Sequence, residues 1–128
     1  MVETPLQLKS IAPQFVVPDV VNTAEYYRDQ LCFTILGYFG DPPVYAMVAR
    51  DGVEIHFGKA NGEHVHVNES VRKGVGTDAY IWVTDINALF KELSGCDVEI
   101  IEGPVKRIYE STEVVIRDCD GHQLVFAV

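Results

Sequence analysis

Apolar and polar positions along the chain change their period several times, and the changes come in the same order twice. The run Phe15-Val16-Val17-Pro18-Asp19-Val20 reads as a strand handing over to a helix, and Ile81-Trp82-Val83-Thr84-Asp85-Ile86 repeats that reading. Helical spacing follows in each half, through Ala24, Tyr27 and Leu31 in the first and Ile86, Leu89, Phe90 and Leu93 in the second. Short β-prone runs complete the halves: Phe33 to Phe39, Tyr45 to Arg50 and Val53 to Phe57, then Val98 to Ile101, Glu113 to Arg117 and Gln123 to Val128. Pro42-Pro43, Asp51-Gly52, Gly103-Pro104 and Asp120-Gly121 punctuate them as turns. The helix-initiating Asp and the closing Asp-Gly recur at offsets of 66 and 69 residues, so two copies of one β-α-β-β-β unit are expected, an α+β fold.

Local signals set the helix ends. Asn22 with Glu25 three residues later forms a capping box, Asp85 caps the second helix, and Gly95 suits a left-handed stop. Tyr26 and Tyr27 read as packing residues of the first helix. Trp82 and Tyr80 share a strand face and are expected to pack under the second helix. Lys59 to Thr77, with Gly62, Gly74 and Gly76, reads as a linker. One domain over residues 1–128 is expected, with module one at about 8–60, the linker at about 59–77 and module two at about 78–128.

Composition agrees with one globular core: 128 residues, 48% hydrophobic and 23% charged. No run approaches the roughly 18 apolar residues of a membrane span. The start, Met1-Val2-Glu3-Thr4-Pro5, lacks the basic and apolar regions of a signal peptide, so a cytoplasmic protein is expected. A formal net charge of -9 repels phosphate backbones and anionic lipid, which sets aside nucleic acid and membrane as partners. The charge accommodates a cationic small molecule and also serves ordinary solubility. Cys32, Cys96 and Cys119 are scattered and odd in number, against a disulfide framework or a structural zinc site.

The duplicated unit resembles the vicinal oxygen chelate superfamily of glyoxalases, extradiol dioxygenases and bleomycin-resistance proteins, from about Ile11 to Val128. The resemblance is carried by Val17-Pro18-Asp19 with Tyr26-Tyr27 following, and by the closing Arg117-Asp118-Cys119-Asp120-Gly121, where the family commonly has proline in place of Cys119. Tyr109 to Val114 is similar to the family's Tyr-Gly-x-Arg-Glu-Phe run, keeping Tyr109 and Glu113. Ala79-Tyr80-Ile81-Trp82-Val83 and Tyr45 look most like the bleomycin-resistance-like branch. The resemblance implies two curved sheets around a cavity, helices on the outer face, and a homodimer.

Metalloenzymes of the superfamily hold a divalent ion with up to four His, Glu or Gln side chains, because the ion acts as a Lewis acid towards vicinal oxygens. Carried onto this sequence, their positions fall at Ala12 (or Pro13), His56, Ala79 and Val125, and only His56 can ligate; Gln14, two residues away on the same face, is a strained substitute. His64 and His66 form a His-x-His pair that could join His56, against the simpler reading of solvated loop polarity, and His122 is read as an exposed turn residue. No metal, no cofactor and no catalytic residue is therefore expected.

The leading reading is a metal-free protein that sequesters an aromatic or cationic small molecule, an antibiotic or metabolite, in a dimer groove. Gln14, Tyr45, Met47, His56 and Tyr109 would line that groove. The alternative is a glyoxalase- or dioxygenase-like metalloenzyme with an atypical ligand set around His56. A third reading is a duplicated scaffold for a protein partner.

Overall fold

The computed structural model describes residues 4–62, 65–74 and 76–128. The first half runs β1 (Gln14–Val17), α1 (Val20–Leu31), β2 (Thr34–Phe39), β3 (Tyr45–Arg50) and β4 (Val53–Lys59). A one-turn helix α2 (Asn68–Val71) lies in the linker. The second half runs β5 (Ala79–Trp82), α3 (Ile86–Ser94), β6 (Glu99–Lys106), β7 (Thr112–Arg117) and β8 (Gln123–Ala127). Each half builds its own four-stranded sheet, ordered β1-β4-β3-β2 and β5-β8-β7-β6. The first strand of each module runs parallel to its last strand, and all other pairings are antiparallel. This is the α+β pair of β-α-β-β-β modules that the sequence repeat implies. None of the described helices is long and apolar enough to cross a membrane.

Two helix ends differ from expectation. Asp19, not Asn22, is the N-cap of α1: its side chain accepts from the Val21 and Asn22 amides, both at 3.1 Å. Asn22 is already inside the first turn, so the Asn22–Glu25 box has no role there. Asp85 caps α3 as expected, accepting from the Ala88 amide at 3.0 Å. Gly95 is right-handed, with φ -88, and the helix stops as the Gly95 and Cys96 amides reach back to the Glu92 and Leu93 carbonyls. The left-handed stop is Cys32 after α1, with φ 60.

Period-two burial decides which sheet face meets a helix. Phe15, Val17, Val48, Ile55 and Phe57 pack under α1 against Val20, Ala24, Tyr27 and Leu31. In module two Val114, Ile116, Leu124 and Phe126 take that place beneath Ile86 and Leu93 of α3. Tyr27 is fully buried, as its packing role requires.

The modules join along two reciprocal seams. In one, the β7–β8 turn meets α1: the Tyr27 hydroxyl donates to Asp118 Oδ2 at 2.6 Å, and Thr23 donates to Asp120 Oδ2 at 2.5 Å. The His122 ring stacks on Phe15 with centroids 4.4 Å apart and planes 9° from parallel. His122 is thus buried at 2% exposure, not exposed, because its turn is pressed between the modules. Its Nδ1 has no hydrogen-bond partner and lies 3.7 Å from Asp118 Oδ1. In the other seam the β3–β4 turn meets α3: Arg50 grips Glu92 through two bonds of 2.7 and 2.9 Å and also donates to the Leu31 carbonyl. Cys119 is exposed at its residue surface, but desolvation of its thiol in the turn and the neighbouring Asp120 and Asp118 push it up to about 12, so it stays protonated. The three cysteines are free.

Candidate functional site

The helix-free face of each sheet holds a polar cluster surrounded by apolar and aromatic side chains. In module one Gln14, His56 and Met47 stand side by side on β1, β4 and β3, and Tyr45 lies one pair further along. The Tyr45 hydroxyl meets His56 Nδ1 at 2.7 Å, and His56 Nε2 meets Glu54 Oε2 at 2.5 Å. With Nε2–H donated to the carboxylate, Nδ1 accepts the phenol proton, and the lone pairs of the Tyr45 oxygen are left to accept from a ligand. The Gln14 amide lies against Gly58, where a Cβ would meet its Cδ at 3.3 Å.

Module two gathers a different cluster around Glu113, whose side chain is almost fully buried on β7. It accepts from the Tyr80 hydroxyl, from the Tyr109 hydroxyl at 2.8 Å and from Arg107 Nε at 2.9 Å, while Arg107 also pairs with Glu102. Gly103, with φ +110, permits this arrangement, since a Cβ there would run into the Glu113 carbonyl across the β6 bulge. Burial alone would raise the Glu113 carboxyl, but the bonds from Tyr80, Arg107 and Tyr109 outweigh it and hold the group below its ordinary range. The Tyr109 phenol is pushed up in turn, chiefly by its bond to Glu113.

A lowered folded-state pKa means that this cluster stabilises the protein above the ordinary carboxylate range. That contribution is lost as pH falls through the folded value, below 4.5. Glu113→Gln is expected to flatten the acid limb of stability below that pH, measured by urea unfolding at a series of pH values. Parallel acid limbs for parent and variant would show that the cluster contributes nothing.

Four of the five expected groove residues, Gln14, Tyr45, Met47 and His56, therefore share one face of module one. Tyr109 lies on the other sheet, in the β6–β7 hairpin, and joins the Glu113 cluster. Tyr80 and Trp82 are not under α3: they project from the helix-free face at 41% and 67% exposure, rings 5.0 Å apart. Both β5 faces are apolar in sequence, and pairing settles the matter by setting Ala79 beside the buried Leu124 and Tyr80 beside Val125. Sequence reasoning missed the anchoring roles of Tyr80 and Arg107. The retained Tyr109 and Glu113 were the available signal.

The pairing also shows what lies across from His56 and Val125, two of the positions carried over from the superfamily's metalloenzymes. Gln14 lies opposite His56 and Tyr80 opposite Val125, while Ala12 and Pro13 precede β1 and Ala79 lies opposite Leu124; Ala12, Pro13 and Ala79 offer no side-chain ligand atom. Gln14, His56, Tyr80 and Val125 do not make a donor set for a divalent ion. Val125 has no ligand atom, the Tyr80 hydroxyl is bonded to Glu113, and both His56 ring nitrogens are engaged. His64 lies outside the described residues, and His66 is exposed in the linker. Among the described residues, the one group of three acidic, Cys or His side chains with ligand atoms within 4.8 Å is Asp118, Cys119 and Asp120. Its carboxylates already hold α1 and the turn amides.

No curated protein matches the chain by sequence. Among solved structures it is similar to the bleomycin-binding protein complexed with bleomycin, at 15% identity and a TM-score of 0.73, covering 94% of this chain and 98% of the other. It is similar to TioX from Micromonospora sp. ML1, at 13% identity and a TM-score of 0.71 over 93% and 98% of the two chains. UcmS2 is similar at 23% identity and a TM-score of 0.71 over 95% and 98%. These likenesses establish the fold. Residues 7–126 match the family described as the Glyoxalase/Bleomycin resistance protein/Dioxygenase superfamily, and the chain belongs to that family.

Proposed function

We propose that the chain is a cytoplasmic, metal-free binding protein that sequesters an aromatic or cationic small molecule between the helix-free faces of two copies. One observation carries this reading. Both faces present large apolar side chains to water around a hydrogen-bonded polar cluster: Val16 and Phe39 on module one, Tyr80 and Trp82 on module two, exposed by 41–71%. Exposed apolar side chains rimming a polar cluster suit a binding face, and the polar clusters supply the orienting groups a ligand site needs. The fold is shared with a protein whose structure contains bleomycin, which supports ligand binding as the role without naming this chain's ligand. The donor set around His56 supports the metal-free reading.

A thermal-shift screen of antibiotics and metabolites tests the proposal, since a ligand raises stability by mass action. For any ligand found, Tyr45→Ala and Tyr109→Ala are each expected to weaken binding by about 1–3 kcal/mol with the fold intact. If both variants bind as the parent does, the faces are wrongly assigned. About one equivalent of bound zinc, iron, nickel or manganese in purified protein would instead favour the metalloenzyme reading around His56.

A further inference from the structure

We infer a second small-molecule site at the seam between the modules, sharing only Trp82 with the helix-free faces, whose ligand is a compact apolar molecule carrying one amine. A cavity of about 470 Å³ lies between α3 and the β3–β4 turn, with Phe33, Val53, Ile81, Leu89 and Phe126 in its walls. That volume falls within the range of small-molecule pockets, roughly 300–1,000 Å³. Its walls come from both modules, so an occupant touches each of them.

The internal repeat bears on why this seam is the roomier of the two, since the pocket beside Phe15 and His122 at the other seam holds about 240 Å³. At the offsets of 66 and 69 residues, Phe15 corresponds to Ile81, Tyr27 to Leu93 and His122 to Val53. The tighter seam is closed by three rings: His122 stacks on Phe15, and Tyr27 is buried against Asp118. At the equivalent places the roomier seam has three aliphatic side chains and no ring. Other exchanges run the opposite way: Leu89 stands where the other seam has Thr23, Phe33 where it has Glu99 and Trp82 where it has Val16, and all three add apolar wall. A planar hydrocarbon group of one ring would pack among these apolar and aromatic walls.

The rim chooses the charge. Asp51, Asp85 and Glu92 border the cavity against one guanidinium, Arg50. Arg50 is already bound by Glu92 through two nitrogens and by the Leu31 carbonyl, so an incoming anion would have to displace a carboxylate that is in place. Asp51 is almost fully exposed and sits 3.6 Å from Arg50, and Asp85 caps α3 through Oδ1. An ammonium entering here meets net negative charge on a chain of formal charge -9.

Methyl-resolved NMR titration of the full chain with three probes that share a phenyl body tests the site. 2-Phenylethylamine is expected to shift the Val53 and Leu89 methyls and to bind at least about tenfold more tightly than 2-phenylethanol, about 1.4 kcal/mol. 3-Phenylpropionate should leave those methyls unmoved. Val53→Phe, which refills the seam, should abolish the amine shifts. Asp85→Asn keeps a capping side chain and should bring the amine down to the affinity of the alcohol, independently of how Val53→Phe folds. Tyr45→Ala should change none of this, so failure of the groove reading and failure of this one are separable. Equal binding of amine and alcohol, no shift at Val53 and Leu89 with any probe, or undiminished binding to Asp85→Asn would each overturn the inference.

Discussion

Asp118→Ala is expected to cost about 3–4 kcal/mol of stability, the largest single loss among the side chains of the seams. Asp118 has a fully buried side chain on which three donors converge: the Tyr27 hydroxyl at 2.6 Å and the Asp120 and His122 amides, each at 2.9 Å. Alanine leaves the Tyr27 hydroxyl, itself fully buried, without an acceptor and frees the turn that carries His122 into the seam. At about 3 °C per kcal/mol for a domain of this size, the melting temperature should fall by roughly 10 °C. Asp118→Asn retains one carbonyl oxygen for the two amides and should lose clearly less. A variant with alanine that melts within about 2 °C of the parent would show that the seam is held by packing alone.

Trp82→Asp is expected to convert a dimer to a species of 14.3 kDa in light scattering at micromolar concentration. The ring is 67% exposed on the helix-free face of module two, beside Tyr80, so the substitution removes no buried packing within the chain. In a dimer that closes one face over the other, the same substitution buries a carboxylate in an aromatic contact, a loss beyond about 3 kcal/mol. Phe39→Asp, on the face of module one, should act alike if unlike faces meet across the dimer. Persistence of a dimer in both variants would place the interface elsewhere, and a parent that is itself 14.3 kDa would remove the premise.

The repeated order of strand, helix and turn was legible because short-range physics writes it. An Asp after an extended residue caps a helix, Asp-Gly turns a hairpin, and the apolar period separates 3.6 from 2. Errors arose where two local signals competed. Asn22–Glu25 fits a capping box, but Asp19 stands earlier and takes the amides first. On β5 the alternation Ala79-Tyr80-Ile81-Trp82 is apolar at every position, and only the partner strand β8 decides which face the helix covers. Gln14, Tyr45, Met47 and His56 come to one face because they occupy alternate positions on adjacent strands of one sheet. The Glu113 cluster was only partly visible, since Tyr80 approaches it from 33 residues away. Nothing local marks Tyr27 as the partner of Asp118, 91 residues distant.

The two seams also bear on how a duplicated chain departs from its own symmetry. Two identical half-length chains packed about a two-fold axis would make one contact twice, so any substitution there would be felt at both places. Fusion removes that constraint, and each copy of the contact can change alone. Here the corresponding places have diverged into different chemistry. One has tyrosine and threonine hydroxyls on a pair of aspartates, sealed by a stacked histidine; the other has an arginine clamped on a glutamate over an open cavity. The first can go on holding the halves together while the second drifts, because hydroxyl–carboxylate bonds and stacked rings suffice for the join. A tight joint on one side is what gives the opposite side licence to become hollow.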